Sequence, residues 1–226
     1  MDLLDGLMTT RAIRRYTDEP VTEDEILTCL RAAVQAPSGG NIQPYQFVVV
    51  TEQAIKRDLG EVYRRGYWRY VPARDRARPA PRSAEDADRI TRMERSAHEL
   101  ADAMGGAPAL VLVLMPRISM TLTDEAGAID VGAVEASVYP AVQNFMLAAR
   151  ALGIGTVLTT AIRVHQQEAR ALLGIPDRYE IAALIPMGRP RGRFGVAPRR
   201  PAESLTHWNR WGARRPGPDA GSAPGG

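Results

Sequence analysis

The sequence predicts an α+β (α/β mixed) fold in which helices flank a central mixed β-sheet. Three observations carry this. Short apolar runs of strand length at 46–51, 108–115, 156–160 and 180–187 alternate with segments of helical periodicity. Apolar residues make up 45% of the 226 residues, the range of a globular domain with one sizeable core. No internal repeat or composition break marks a second domain, so residues 1–212 are expected to form a single one and residues 213–226, rich in Pro, Gly, Ser and Asp, a disordered tail.

The elements follow in order. Residues 3–9 form a short opening helix. Thr22-Glu23-Asp24-Glu25 is a capping box, and the helix it starts carries Ile26, Leu27, Leu30, Ala33 and Val34 on one face until Pro37 stops it. The strand at 46–51 lacks alternation, which predicts burial on both faces, and a helix follows from Ala54 to Tyr63. Residues 64–92 crowd arginine, proline and aromatics together; they read as an irregular insertion, a lid over a flat ligand or a disordered excursion, from which a charged helix emerges at Ser83. After the strand at 108–115, a mostly apolar helix is expected from Ile129 to Leu152, ended by Gly153. The strand at 156–160, a short helix over 165–173 closed by Gly174 and Pro176, and the strand at 180–187 complete the set. Two tryptophans, Trp208 and Trp211, in a polar stretch predict that residues 196–212 pack on something, such as a second subunit.

Composition removes several function classes. The one cysteine, Cys29, admits neither an intramolecular disulfide framework nor a cysteine-rich metal cluster and fits a reducing compartment. The first residues lack the basic flank and apolar run of a signal peptide. No apolar run approaches the ~20 residues that span a bilayer. A cytoplasmic protein without membrane contact is expected. Net charge is +3 with acids and bases interleaved, and Lys56 is the one lysine, which argues against a nucleic-acid surface. His98, His165 and His207 stand apart and form no metal-ligand pattern. There is no Gly-x-Ser-x-Gly elbow and no Gly-Lys-Ser/Thr phosphate loop. Gly153-Ile154-Gly155 lacks the third glycine of a dinucleotide fingerprint and follows a helix instead of a strand. No side-chain catalytic constellation remains, so a reactive group is expected to be brought in.

Two segments carry phosphate and flat-ring chemistry. In Thr10-Arg11-Ala12-Ile13-Arg14-Arg15-Tyr16, Arg11 and Arg14 stand at i, i+3 and can address one anion, while Arg199 offers a cation from the far end of the chain. Such pairs also occur on solvated faces. In Ala36-Pro37-Ser38-Gly39-Gly40-Asn41-Ile42-Gln43-Pro44-Tyr45, a turn alone would account for Pro37, Ser38, Gly39 and Asn41; bare amides with an Asn side chain would also grip the edge of a heterocycle. Leu158, Thr159 and Thr160 either close a strand or offer donors to a ring nitrogen.

Taken together, these segments resemble the FMN-dependent nitroreductase superfamily over about residues 7–212. The arginine segment is similar to its Arg-Ser-x-Arg-x-Phe/Tyr motif and the 37–45 loop to its Pro-Ser-x-x-Asn-x-Gln-Pro-Trp motif. Gly153-Ile154-Gly155-Thr156 with Thr159-Thr160, Ile185-Pro186-Met187-Gly188 and Arg199-Arg200-Pro201 follow in the same order. The resemblance implies a homodimer holding two FMN groups at its interface, each site built from both chains, with NAD(P)H and an electron-poor small molecule such as a nitroaromatic or quinone as substrates. It assigns the flavin to Arg11, Ala12, Ile13, Arg14, Pro37, Ser38, Gly39, Asn41, Leu158, Thr159, Thr160 and Arg199, with no catalytic side chain and no metal. It also admits an FMN enzyme of the dehalogenating or oxygen-dependent branch, or a flavin storage protein. Ala12 and Tyr45 depart from the motif, where serine and tryptophan are usual.

Overall fold

A computed structural model describes residues 1–118 and 120–215. Contacts divide the chain after Gly195 into a compact body, Met1–Gly195, and a separate segment from Val196 onward.

The body opens with α1 (Leu3–Thr9), whose Asp2 cap accepts the Leu4 amide, and α2 (Glu23–Ala33), where the predicted Thr22/Glu25 capping box is complete. Then come β1 (Gln46–Val50), α3 (Gln53–Ala77), α4 (Ala84–Ala103), β2 (Ala109–Pro116), β3 (Thr121–Asp124), β4 (Gly127–Asp130), α5 (Glu135–Ala151), β5 (Gly155–Thr156), α6 (Gln166–Leu172) and β6 (Tyr179–Gly188).

The main sheet has the order β1-β2-β6-β5 and divides the core in two. On one face Val111, Val113 and Met115 of β2 pack with Ile26 and Cys29 of α2 and with Val138, Val142 and Phe145 of α5. On the other, Leu110, Leu112 and Leu114 meet Leu59, Tyr63 and Tyr67 of α3, Leu100 of α4 and Ile162. β2 is the axis of the molecule because every residue from Ala109 to Met115 is buried, alternating between the two cores. Each fully buried aliphatic side chain there contributes about 1.5–3 kcal/mol. The single lysine is also internal: Lys56 Nζ donates to the carbonyls of Ala107 and Pro108 at 2.9 and 3.0 Å, tying α3 to the start of β2.

Several elements differ from the sequence expectation. The sheet is antiparallel at every pairing, not of mixed direction. β1 is an edge strand, so most of it is partly exposed instead of buried on both faces. Residues 64–77 continue α3 and do not form an irregular insertion. Tyr63, Tyr67 and Val71 recur at i, i+4 on the buried face, and arginine is a good helix former, so the helix persists through Pro72. The apolar helix begins at Glu135, not Ile129. Asp124 Oδ1 accepts the amides of Ala126 and Gly127 and turns the chain into the β3–β4 hairpin, and Gly132 at φ +100° separates that hairpin from α5. The strand expected at 156–160 stops at Thr156; Thr159 returns to the sheet only as a lone bridge to Leu184.

The segment Val196–Arg215 holds a short turn of helix at Ala202–Leu205 and a tight closure in which the Trp208 amide donates to the Ala213 carbonyl at 2.7 Å. Trp211 is 91% exposed, with one face stacked on His207. The tail expected to be disordered falls mainly outside the described residues. Among the described residues, no helix is long and apolar enough to cross a membrane, and no group of three or more His, Cys, Asp or Glu is placed to hold a metal.

Candidate functional site

The arginine segment is fastened to the sheet edge. After α1 the chain extends alongside β5, where the Ile13 amide donates to the Thr156 carbonyl at 2.9 Å. Gly155 makes this approach possible: a Cβ there would lie 2.5 Å from Ile13 Cγ2 and 2.8 Å from Ile13 Cβ. Tyr16 anchors the segment from below, its hydroxyl lying 2.6 Å from the Ile13 carbonyl and 3.1 Å from that of Pro186. Ala12 packs against the α3-side core.

These anchors aim Arg14 at a group of phenols. Its guanidinium is half-buried and has no carboxylate within ion-pair distance among the described residues. Burial lowers its pKa; the oxygens of Tyr16, Tyr63 and Tyr67 act in the opposite direction, and Arg11 adds to the lowering. The Tyr63 hydroxyl meets Thr159 Oγ1 at 2.9 Å, and burial pushes its pKa up to about 12. Tyr67 is stacked on Tyr63 and buries its hydroxyl. Burial raises the pKa of Tyr67, and the nearby Arg74, itself paired with Asp75 and Glu94, opposes this through hydrogen bonding and charge. Arg14 and Tyr16 also line a cavity of about 320 Å³ with Arg15, Glu99, Leu100 and Arg191.

Thr159 is fully engaged. Its amide donates to the Leu184 carbonyl at 3.0 Å, its carbonyl accepts the Leu184 amide at 2.9 Å, and its hydroxyl faces Tyr63. Thr160 is exposed, and its amide and hydroxyl have no hydrogen-bond partner among the described residues. Of the two threonines, the second is the one with donors to spare. Leu158 is partly buried against the α2/α5 core.

The 37–43 loop lies elsewhere in the protomer, against the first turn of α5. The Gly39 amide donates to Ser137 Oγ at 3.0 Å, Ser38 Oγ accepts the Gln43 amide at 3.0 Å, and Gln43 Nε2 donates to Asn41 Oδ1 at 3.1 Å. Gly40, Asn41 and Gln43 all have positive φ, at 56°, 55° and 46°. For a glutamine this costs on the order of 1–2 kcal/mol, a strain typical of backbone held for recognition. Pro37, Gly39 and Asn41 are exposed. Arg199 belongs to the segment after Gly195, where its Nη1 donates to the Pro198 carbonyl at 3.2 Å.

The structure thus joins Arg11, Ala12, Ile13 and Arg14 to Thr159 and Thr160, and it adds Tyr16, Tyr63 and Tyr67, which the sequence reading left out of the site. The i, i+4 recurrence of Tyr63 and Tyr67 was the available signal; ending the helix at Tyr63 hid it.

The nitroreductase family model matches residues 7–189, most of the chain. The chain belongs to the nitroreductase family. Among curated relatives, an FMN reductase [NAD(P)H] of Bacillus subtilis is 27% identical over 207 residues, covering 91% of this chain and 73% of that protein. An NADH dehydrogenase of Thermus thermophilus is 26% identical over 209 residues, covering 92% and 96%. A mutant of the FMN and NADPH-dependent nitroreductase NfnB from a Sphigopyxis strain has the same fold at a TM-score of 0.68 and 21% identity, covering 92% of this chain and 99% of that one. For this member of the nitroreductase family, the half-buried Arg14 without a carboxylate and the open donors of Thr160 are the features that an anionic, flat, hydrogen-bonding cofactor fits.

Proposed function

We propose that this protein is an FMN-dependent NAD(P)H oxidoreductase that reduces electron-poor acceptors such as nitroaromatics or quinones. The observation that carries the reading is Arg14: a guanidinium desolvated among phenols and lacking a carboxylate is costly unless an anion completes it. FMN, named in relatives of this chain, supplies such an anion and the redox chemistry, accepting hydride from the nicotinamide and passing electrons to the acceptor.

The chain's own residues bind and orient. Arg14, supported by Arg11, neutralises negative charge that builds at the ring or phosphate. The Thr160 amide and hydroxyl donate to the ring edge, while the Leu184 bridge holds Thr159 and so fixes where Thr160 points. Tyr63 and Tyr67 present a stacked aromatic wall that keeps water from that edge. Arg199 has the phosphate role that the family resemblance implies and nothing further.

The 37–43 loop finds a use if a second copy completes the site. Leu3, Leu4, Leu7 and Met8 of α1 are 45–69% exposed, an apolar row left open among the described residues. A homodimer seated there would bury this row and could bring the strained amides and Asn41 of one protomer to the arginine segment of the other. The test is turnover: NAD(P)H oxidation by the flavin-loaded protein with menadione or nitrofurazone as acceptor, measured under nitrogen. Acceptor-dependent oxidation is expected, and a loaded protein that oxidises neither NADH nor NADPH with any acceptor would defeat the reading.

A further inference from the structure

A basic hollow lies farther along α3. It has a volume of about 550 Å³, the size of a small-molecule site, and is lined by Arg69 of α3, Arg117 just beyond β2, and Arg163, His165, Gln167 and Glu168 of the segment leading into α6. Its floor is closed. At Gly66, α3 packs so tightly on the segment beneath that an added Cβ would lie 2.9 Å from the Ala161 carbonyl oxygen. Gln166 Oε1 accepts the Ile181 amide at 3.3 Å, and β6 is fully buried from Ile181 to Leu184. The hollow is thus walled off from Thr159 and Thr160, and what enters it is a molecule separate from the flavin and its donor.

The carboxylates of the hollow are already engaged. Glu168 is held by Arg65 at 2.5 Å, and Glu180 by Arg163 Nη2 at 3.3 Å. Other arginines of α3 are neutralised locally: Arg64 pairs with Glu61, and Arg74 with Asp75 and Glu94. Arg69 and Arg117 have no carboxylate within ion-pair distance among the described residues. Arg163 spends one nitrogen on Glu180 and keeps Nε and Nη1 without partners among those residues. Guanidinium groups gathered in one hollow repel one another until an anion enters, and their planar forks suit the oxygens of a phosphate.

The surroundings select a compact phosphate over a phosphate backbone. Asp177, paired with Arg170 yet fully exposed, adjoins Arg178, whose carbonyl takes the Arg117 amide at 2.9 Å. On the α3 side, Glu61 lies 3.7 Å from Arg65. An extended polyanion would run against these carboxylates, whereas a single dianion seated in the hollow meets the guanidinium groups.

We propose that Arg69, Arg117 and Arg163 form a binding site for a small phosphate-bearing molecule, either the free ion or a phosphomonoester, distinct from the flavin site. Calorimetry of the full-length protein, saturated with FMN, tests it with inorganic phosphate and with ribose 5-phosphate in a constant chloride background. The wild type should bind at least one of them with a dissociation constant on the order of 1 mM or tighter, as expected for a few charge-assisted bonds to one phosphate. Arg69→Ser with Arg117→Ser, both at exposed positions, should weaken this about tenfold or more, with an unchanged melting temperature reporting an intact fold. Arg69→Lys, which keeps the charge and loses the fork, should fall between the two. Tighter binding of ribose 5-phosphate assigns the site to an ester, and equal binding assigns it to the free ion; either upholds the proposal. The difference between wild type and double variant isolates the hollow even in protein without flavin, so failure of the functional reading would leave this test intact. Equal affinities in wild type and double variant would overturn the proposal. So would binding that the chloride background abolishes, the mark of an adventitious ion only. A single-stranded oligonucleotide held by the same arginines more tightly than either probe would also defeat it, in favour of a nucleic-acid surface.

Discussion

The Tyr63 hydroxyl and Thr159 Oγ1 lie 2.9 Å apart, joining the buried face of α3 to the point where the chain leaves the sheet edge. Tyr63 is buried and Thr159 half-buried, so the tyrosine hydroxyl depends on the threonine for its hydrogen bond. Tyr63→Phe and Thr159→Val should each destabilise the protein by about 1 kcal/mol. The double variant should cost little more than either single one, because both remove the same bond. Thermal unfolding of the three variants measures this. Additive losses would show that the pair is not coupled.

Arg14 is the residue on which cofactor retention should depend. Arg14→Ala removes a charge-assisted contact of about 1.5–3 kcal/mol, which corresponds to roughly 10–150-fold weaker FMN binding. Arg14→Lys keeps the charge, loses the fork and should fall between the two. Flavin fluorescence titration of the apoprotein gives the three constants.

Gly155 sets how closely the arginine segment can approach. Gly155→Ala places a methyl against Ile13, and overpacking of this kind costs about 1–3 kcal/mol. Because Ile13 would be pushed from the Thr156 carbonyl, FMN affinity should fall along with stability. Gly174→Ala, a positive-φ site with no atom within 4 Å of the added Cβ, is the control: it should lower stability without touching FMN affinity.

What could be read from the sequence follows from where the information lies. The capping box at Thr22 and Glu25, the buried run of β2 and the glycine stop at Gly153 are local, and each appears as its residues dictate. Three features were not legible, two of them because they depend on distant partners. The edge position of β1 depends on which strand pairs with β2. The persistence of α3 past Tyr63 depends on a core that receives Tyr67 and Val71, and the β3–β4 hairpin depends on a turn at Asp124 that apolar periodicity conceals. In the site, residue types pointed to Arg14 and to the threonine pair. Which threonine keeps free donors depended on Leu184 and Tyr63, far away in sequence.

Acid should loosen the end of the body where α2 begins. Partial burial works against ionisation of Glu25, but the Thr22 amide and the Arg189 guanidinium prevail and hold the carboxyl below its ordinary value. A carboxyl whose pKa is depressed on folding contributes stability above its unfolded pKa, near 4.3, and loses it as pH falls through the folded value. Stability should therefore drop as pH falls below about 4.3, and Glu25→Gln should flatten that drop while lowering stability at neutral pH. Urea unfolding across pH 3–7 measures both slopes.

The most direct measurement is the visible spectrum of the purified protein, reconstituted with FMN if it emerges colourless, followed by anaerobic addition of NADPH and NADH. A bound flavin band that bleaches on addition of donor and returns with a quinone is the predicted result. A protein that holds no FMN after reconstitution, or whose bound FMN neither donor bleaches, would contradict the account.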